Sequence, residues 1–419
     1  MNLPKSLLST KKIFVLNYGC AANKAYSEAI REELQKIDAL EAENLEDADI
    51  VIINSCTVKG ATESKILAEI QNLKNEGKEV LVTGCMATAQ PGLVSYYFGR
   101  SNVISLEELA GMDLKEKTLP KLPKKPSSYS HIVPISRGCL GYCTYCITRL
   151  AVGRLRSYPK EEIINSVTSG LKEGAKEIFL TAQDLAIYGQ DDEKNKLIEL
   201  LEAINDVPFN FVVRLGMMTP NGFKNVAEPL IDLMSRSDKF YKFLHLPLES
   251  GDNRILKLMG REYDSSSFRD LVKFSKKRVN NLNFTTDVIV GFPTEDDEAF
   301  NNTKRLIYEL KPFKVNVSKF TPRPHTLAAY FPKVRSEVTD ERAKELSKIA
   351  RKLSHEQKEI LVRSKIKAVP LKKLNENTYL GRSINYLNLI ISSTKELELG
   401  KVEEVTVKEL KKGPLLCFV

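Results

Sequence analysis

The chain has 419 residues, 42% hydrophobic and 28% charged, with 63 Lys and Arg against 54 Asp and Glu for a formal net charge of +9. That length suggests two or three domains, no stretch is apolar enough to cross a bilayer, and the basic balance favours a polyanionic partner. Seven cysteines without a signal peptide argue against a disulfide framework and for a reducing, cytoplasmic setting.

From about residue 11 to residue 109, short apolar runs rich in β-branched residues alternate with helical stretches such as 25–37 and 63–76. This is the pattern of a doubly wound α/β domain, bounded here at 11–112. Three of those runs, 13–20, 50–56 and 80–85, each end on a cysteine: Cys20, Cys56 and Cys85. In a parallel sheet the strands point one way and ligands gather beyond their carboxyl ends, so three strands that each deliver a thiol there bring the thiols together. Gly19 and Gly84 allow a sharp turn just before two of them. The plainer alternative is three inert buried thiols. Residues 113–130, with Pro120, Pro123 and Pro126 among lysines and serines, read as an extended linker.

A new alternation begins at His131, with apolar runs at 132–135, 178–181, 211–215, 243–246, 286–290 and 315–320 and helical stretches such as 160–173 and 267–277. It predicts a β/α barrel, complete or partial, over 131–356; periodicity does not choose six strands over eight. Directly after the first run come Cys139, Cys143 and Cys146 in C-x3-C-x2-C spacing. Three thiolates in one loop can bind three irons of a 4Fe-4S cube and leave the fourth iron open. A structural zinc would want a fourth ligand, which this loop lacks, and His131 precedes the strand rather than closing the loop. Later strand ends carry polar groups suited to a ligand: Gln183 and Asp184, Arg214, His245, Glu249 and Ser250, and Asp287. Asp184 could equally cap a helix. A buried Arg214 needs an anionic partner, a substrate carboxylate being one candidate, and His245 in an apolar strand is expected to be a satisfied core histidine.

Residues 357–419 change character. Strand-like runs at 366–370, 378–381, 386–392 and 402–407 suggest a small antiparallel β-barrel, and this segment carries 12 Lys and Arg against 7 Asp and Glu, a net of +5. Tyr379, Tyr386 and Phe418 among these cations suit phosphate contact and base stacking; a solvated capping barrel is the alternative. Cys417 stands outside both triplets and is expected to be inert.

The C-x3-C-x2-C loop after a first strand resembles the signature of the radical S-adenosylmethionine superfamily. The resemblance implies a six-stranded partial barrel and an open iron that chelates S-adenosylmethionine, whose reductive cleavage gives a 5'-deoxyadenosyl radical. It carries cofactor-binding roles onto Gln183 and Asp184, Glu249 and Ser250, and Val290 and Gly291, to which Arg214 is added for its place in a barrel strand. A three-cysteine domain ahead of that loop resembles the methylthiotransferase family. This implies a second 4Fe-4S cluster on Cys20, Cys56 and Cys85 that holds the sulfur to be inserted, beside the first on Cys139, Cys143 and Cys146.

Gly381-Arg-Ser-Ile-Asn-Tyr386 resembles the TRAM domain, the RNA-binding tail of tRNA methylthiotransferases. Gly138-Cys-Leu-Gly-Tyr-Cys-Thr-Tyr-Cys146, Gly153-Arg-Leu-Arg-Ser-Tyr158 and Thr321-Pro-Arg-Pro-His-Thr326 resemble the archaeal and eukaryotic enzymes that act on N6-threonylcarbamoyladenosine. Val152 and Tyr26 depart from that pattern, standing where an arginine and an acidic residue are usual. The implied reaction adds a methylthio group at C2 of that base next to the anticodon. The implied partners are a tRNA anticodon stem-loop, an external electron donor and a sulfur donor, with no membrane. Relatives acting on isopentenyladenosine or on a ribosomal protein are the alternatives, and so is a redox-sensing RNA-binding protein with structural clusters. A threonylcarbamoyl carboxylate calls for a cation, and Arg149, Arg154 and Arg156 lie close to the cysteine loop.

Overall fold

Apolar runs containing β-branched residues form β1 (Lys12–Asn17), β3 (Ile50–Ser55) and β4 (Glu79–Gly84), which with the short β2 (Leu40–Glu41) make a parallel sheet in the order β2-β1-β3-β4. The computed structural model describes residues 8–58, 60–99, 102–109, 119–411 and 413–419, so the expected 112/113 boundary and the start of the linker lie outside the described residues. Alternate residues serve opposite faces. Ile13, Val15, Ile50 and Ile52 pack on Tyr26, Ile30 and Leu34 of the helix Ala21–Gln35. Val51, Ile53, Val80 and Val82 pack on Ile66, Ile70 and Leu73 of the helix Gly60–Asn75. Helices therefore cover both faces, as the doubly wound reading requires.

The described part of the linker is tied to both sides. Pro120 and Pro123 carbonyls accept from Tyr158 Oη (2.7 Å) and Ser166 Oγ (2.6 Å), while the Lys124 and Lys125 amides donate to Glu32 Oε1 (2.7 and 2.9 Å).

The central region holds β5 (Ser130–Pro134), β6 (Ser136–Arg137), β7 (Arg156–Ser157), β8 (Glu177–Thr181), β9 (Val212–Leu215), β10 (Phe243–His245), β11 (Asn283–Val290) and β12 (Lys314–Lys319). Two parallel three-stranded sheets, β5-β8-β9 and β10-β11-β12, are joined by the parallel bridges Val213↔Phe240 and Met217↔His245. They make a six-stranded partial barrel. Its outer helices start on well-placed caps: Asp264 accepts from Ser267 N (2.7 Å) and Asp296 from Ala299 N (2.9 Å), satisfying amides that a helix start leaves unpaired. The helix Ser336–Glu359 lays Leu346, Ile349 and Leu353 on the barrel core and ends past the 356/357 division, which therefore falls in its last turn.

The tail strands β13 (Lys365–Asn375), β14 (Thr378–Ser383), β15 (Asn388–Ser392), β16 (Glu403–Leu410) and β17 (Leu415–Phe418) close in the order β13-β14-β15-β17-β16. Two expectations need correction. The barrel is not wholly antiparallel, because β15 and β17 run parallel: a closed ring of five strands cannot alternate direction at every neighbour. The fifth strand was absent from the expected runs, being four residues long. Cys417 is buried in this barrel's core.

The tail seals the amino-terminal mouth of the central barrel. Lys242 N donates to Ile384 O (2.7 Å), Arg382 pairs with Glu177 (2.8 Å), and Tyr386 packs on Tyr241 and Phe243 with ring centroids 5.0 and 4.7 Å apart. Two of the three aromatics expected to stack on RNA are thus spent on packing, Tyr379 in the tail core and Tyr386 at this seam, while Phe418 stays exposed. Among the described residues no helix is long and apolar enough to cross a membrane.

Candidate functional site

The N-terminal cysteines gather at the point where the first sheet changes winding direction. β1 and β3 are neighbours, yet β1 leads outward to β2 and β3 outward to β4, so their carboxyl ends open the crevice in which such sheets bind ligands. Cys20 precedes the helix Ala21–Gln35, Cys56 follows β3, and Cys85 opens the helix Cys85–Ala89. Gly19 has φ +110°, and a Cβ there would come within 2.8 Å of Cys56 Cβ, so the approach of these two strand ends requires glycine. Asn23 staples them: its Nδ2 donates to Tyr18 O (2.9 Å) and Ser55 O (3.0 Å), and its Oδ1 lies 3.9 Å from Cys85 Sγ. Burial, with the Cys20 and Cys56 thiols adding to it, pushes the Cys85 thiol up to about 12. A bound cation would hold such thiols ionised.

The second set sits on one loop. The β6–β7 pair, Ser136↔Ser157 and Arg137↔Arg156, pinches the base of residues 138–155. Gly138 has φ +94°, a Cβ there would lie 2.0 Å from Arg154 O, and its amide donates to Gln183 Oε1 (2.8 Å). Within the loop, Gly141 N donates to Cys139 Sγ (3.2 Å), and a Cβ on Gly141 would meet the Cys139 and Cys143 sulfurs at 3.4 and 3.8 Å, so both thiols face the same side. Burial pushes the Cys143 thiol up to about 11; the Arg261 guanidinium opposes this and Cys146, Glu249 and Cys139 add to it. Among the described residues no three His, Cys, Asp or Glu side chains are grouped as ligands of one metal ion. A four-iron cube instead takes one thiolate on each of three irons. Both triplets supply the soft thiolate donors that such clusters need.

The two sets are brought face to face. The helix Cys85–Ala89, whose Met86 and Ala87 are buried in the first domain's core, packs on the helix Thr148–Val152, in which Ala151 and Val152 are buried. Val152, one of the two departures from the family pattern, is buried on the helix that meets this seam. Tyr26, the other, is buried with its hydroxyl 3.5 Å from that of Tyr158 and its ring 6.0 Å below the Arg137 guanidinium. Arg137 stands two residues before Cys139 and lowers the pull of burial on Cys85, so one cation adjoins both sets.

A second clamp comes from the loop after β12. Arg323, 5% exposed, pairs with Glu63 and donates to Thr57 Oγ1 (2.9 Å); Thr57 donates to Glu63 (2.8 Å) and accepts from Gln90 (2.5 Å). Thr57 is the residue after Cys56.

The residues expected at the cofactor divide. Gln183 holds Gly138, and Glu249, at φ +63°, pairs with Arg261, which also donates to Tyr145 Oη (2.7 Å) between the cysteines. Asp184 is spent as a cap, accepting from Ala186 N (3.1 Å), Thr219 N (3.1 Å) and the Thr219 hydroxyl. Ser250 accepts from Asp252 N (3.2 Å), the Val290 carbonyl accepts from Phe320 N (2.9 Å), and Gly291 N donates to Glu295. Arg214 needs correction: register with Phe179 places it low in the barrel, its guanidinium 3.9 Å from the Phe179 ring centroid and near Tyr386 of the tail, away from the cysteine loop. His245 is satisfied as expected, Nε2 lying 2.8 Å from Asp287 Oδ2, whose other oxygen accepts from Asn316 Nδ2 (2.7 Å). Sequence reasoning missed Arg137, Arg261 and Arg323, whose partners lie on other elements; the Arg-Pro pair at Arg323 was noticed only as a family mark.

Comparison with known proteins follows this geometry. The radical SAM superfamily matches residues 133–307, and the uncharacterized protein family UPF0004 matches residues 12–102. A probable threonylcarbamoyladenosine tRNA methylthiotransferase of Pyrococcus horikoshii is 36% identical over 97% of this chain and 98% of its own length. The human threonylcarbamoyladenosine tRNA methylthiotransferase is 29% identical over 95% of this chain and 72% of its own. A tRNA-2-methylthio-N(6)-dimethylallyladenosine synthase of Petrotoga mobilis is 31% identical over 96% and 98%. In fold, the chain is similar to a radical S-adenosylmethionine methyltransferase from Kitasatospora setae, with TM-score 0.53 and 14% identity over 76% of this chain and 74% of that one.

Proposed function

From the chain's membership of the threonylcarbamoyladenosine tRNA methylthiotransferase family, we propose that it replaces the C2 hydrogen of N6-threonylcarbamoyladenosine, next to the anticodon of tRNA, with a methylthio group. The observation that carries this reading is the meeting of two cysteine triplets from different domains across the Cys85–Ala89 and Thr148–Val152 helices. When bound, two 4Fe-4S clusters and S-adenosylmethionine supply the radical, the sulfur and the methyl group. Cys139, Cys143 and Cys146 hold one cluster and Cys20, Cys56 and Cys85 the other.

The remaining residues position. Gln183 fixes the turn into the cysteine loop through the Gly138 amide. Arg261 and Glu249 neutralise each other beside Cys143 and keep Tyr145 in place. The Arg323 and Glu63 pair holds the Cys56 strand end against the barrel. Arg149 and Arg154, on the loop itself, offer the cation that a threonylcarbamoyl carboxylate requires, which an isopentenyl group does not. The reaction belongs in the cytoplasm, with an anticodon stem-loop as substrate, an external electron donor and a separate sulfur donor.

The test is anaerobic. After reconstitution with iron and sulfide, the protein should hold about eight irons. With reductant and S-adenosylmethionine it should add a methylthio mass to threonylcarbamoylated tRNA, read by mass spectrometry of digested nucleosides, and leave isopentenylated tRNA unchanged. Product on the isopentenylated RNA alone would move the assignment to the reaction named for the Petrotoga relative.

A further inference from the structure

Large apolar side chains scattered singly over a surface are ordinary; a contiguous group at the mouth of a site marks a contact surface. Two segments distant in sequence form such a group here. In the cysteine loop and the helix after it, Leu140, Tyr142 and Leu150 are 40%, 67% and 47% exposed. In the short helix Leu327–Tyr330, Leu327 and Tyr330 are 65% and 81% exposed. The Ala328 amide donates to the Thr144 carbonyl (2.9 Å), so the two segments abut. The Arg149 guanidinium lies 3.8 Å from the centre of the Tyr142 ring, extending a planar, cationic, apolar surface beside the three thiols.

Charge decides what this rim fits. From Gly138 to Tyr158 the chain has three arginines and no Asp or Glu; from Lys314 to Ser336 it again has no carboxylate, and with Arg323 buried on Glu63 and Lys319 paired to Asp340 the exposed cations left there are Lys314, Lys333 and Arg335. A protein partner of mixed charge gains little from such a surface. A single-stranded nucleic acid gains twice, since its bases stack on aromatic rings and arginine planes while its phosphates meet the cations.

We propose that Tyr142, backed by Arg149, and Tyr330 are the stacking platform for the unpaired bases flanking the target nucleotide in an RNA loop. This rests on the tRNA reading above and deepens it: the tail barrel, with Tyr379 buried in its core and Tyr386 packed at the seam with the central barrel, contributes charge, and the rim of the cysteine loop contributes the stacking.

The experiment measures fluorescence anisotropy of a labelled anticodon stem-loop with the reconstituted full chain. Tyr142→Ala and Tyr330→Ala should each weaken binding about tenfold, while Tyr142→Phe binds as wild type. Arg149→Ala should reduce the salt slope by about one. Iron content and melting temperature should stay at wild-type values in the two tyrosine variants, whose side chains are exposed, and a fully paired RNA stem should bind those variants as it binds the wild type. A Tyr142→Ala, Tyr330→Ala double variant within twofold of wild type on the stem-loop would overturn the platform while leaving the tRNA reading intact. Failure of the wild type itself to prefer the stem-loop over the paired stem would overturn the tRNA reading and the platform with it.

Discussion

The two cysteine sets solve one problem by opposite means. Cys139, Cys143 and Cys146 lie within one loop whose base is pinched by the β6–β7 pair, so their geometry is local. Cys20, Cys56 and Cys85 come from three separate strand ends, so their geometry exists only once β1, β3 and β4 are in register. A local set should tolerate damage elsewhere in the fold. A distributed set should fail whenever the sheet edge shifts, and because it must also face the barrel, it depends on seams such as the Arg323 and Glu63 pair.

The sharpest contrast is between Cys143→Ala and Cys56→Ala. Each should halve bound iron, from about eight to about four per chain, and abolish methylthiolated product. They should part on one readout: Cys56→Ala still forms 5'-deoxyadenosine from S-adenosylmethionine under reducing conditions, and Cys143→Ala does not. Equal loss of 5'-deoxyadenosine in both would show that the sets are not independent.

Breaking the seam comes next in size. Arg323→Ala leaves Glu63 in a half-buried site, at a cost of about 3 kcal/mol, the low end for a broken buried pair because Thr57 and Gln90 still donate there. Product formation should fall well below 5'-deoxyadenosine formation, and calorimetry should show the first domain unfolding separately. A variant in which the two activities fall in parallel would place the effect on stability alone.

The smallest expected effect is acidic and acts on the barrel side. Burial pulls His131, in β5, down to about 4 from 6.5. The unfolded chain then binds more protons between these values, so the stability is present above pH 6.5 and is lost as pH falls toward 4. Going from about pH 7 to about pH 5 should cost about 2 kcal/mol, seen as a lower melting temperature of the barrel transition. His131→Gln should flatten that dependence.

Much of this was legible beforehand because it is written at short range. Alternating apolar runs located the described strands of the first sheet that carry cysteines and all six barrel strands, and strand polarity alone implied that Cys20, Cys56 and Cys85 share an edge. Short range also misled: a Tyr in a basic tail reads as a stacking group whether it faces solvent or, like Tyr379, is buried in a core or, like Tyr386, packs at a seam.

The sequence by itself determined the strand and helix periods, the two thiol sets and the family, since each rests on spacing along the chain. Tertiary structure alone decided that Asp184 caps, that Arg214 faces the tail, that β17 closes the last barrel in parallel, and that Arg323 meets Glu63 across 260 residues. Those outcomes depend on which elements become neighbours, and that is set by the burial of whole faces rather than by any one residue's local preference.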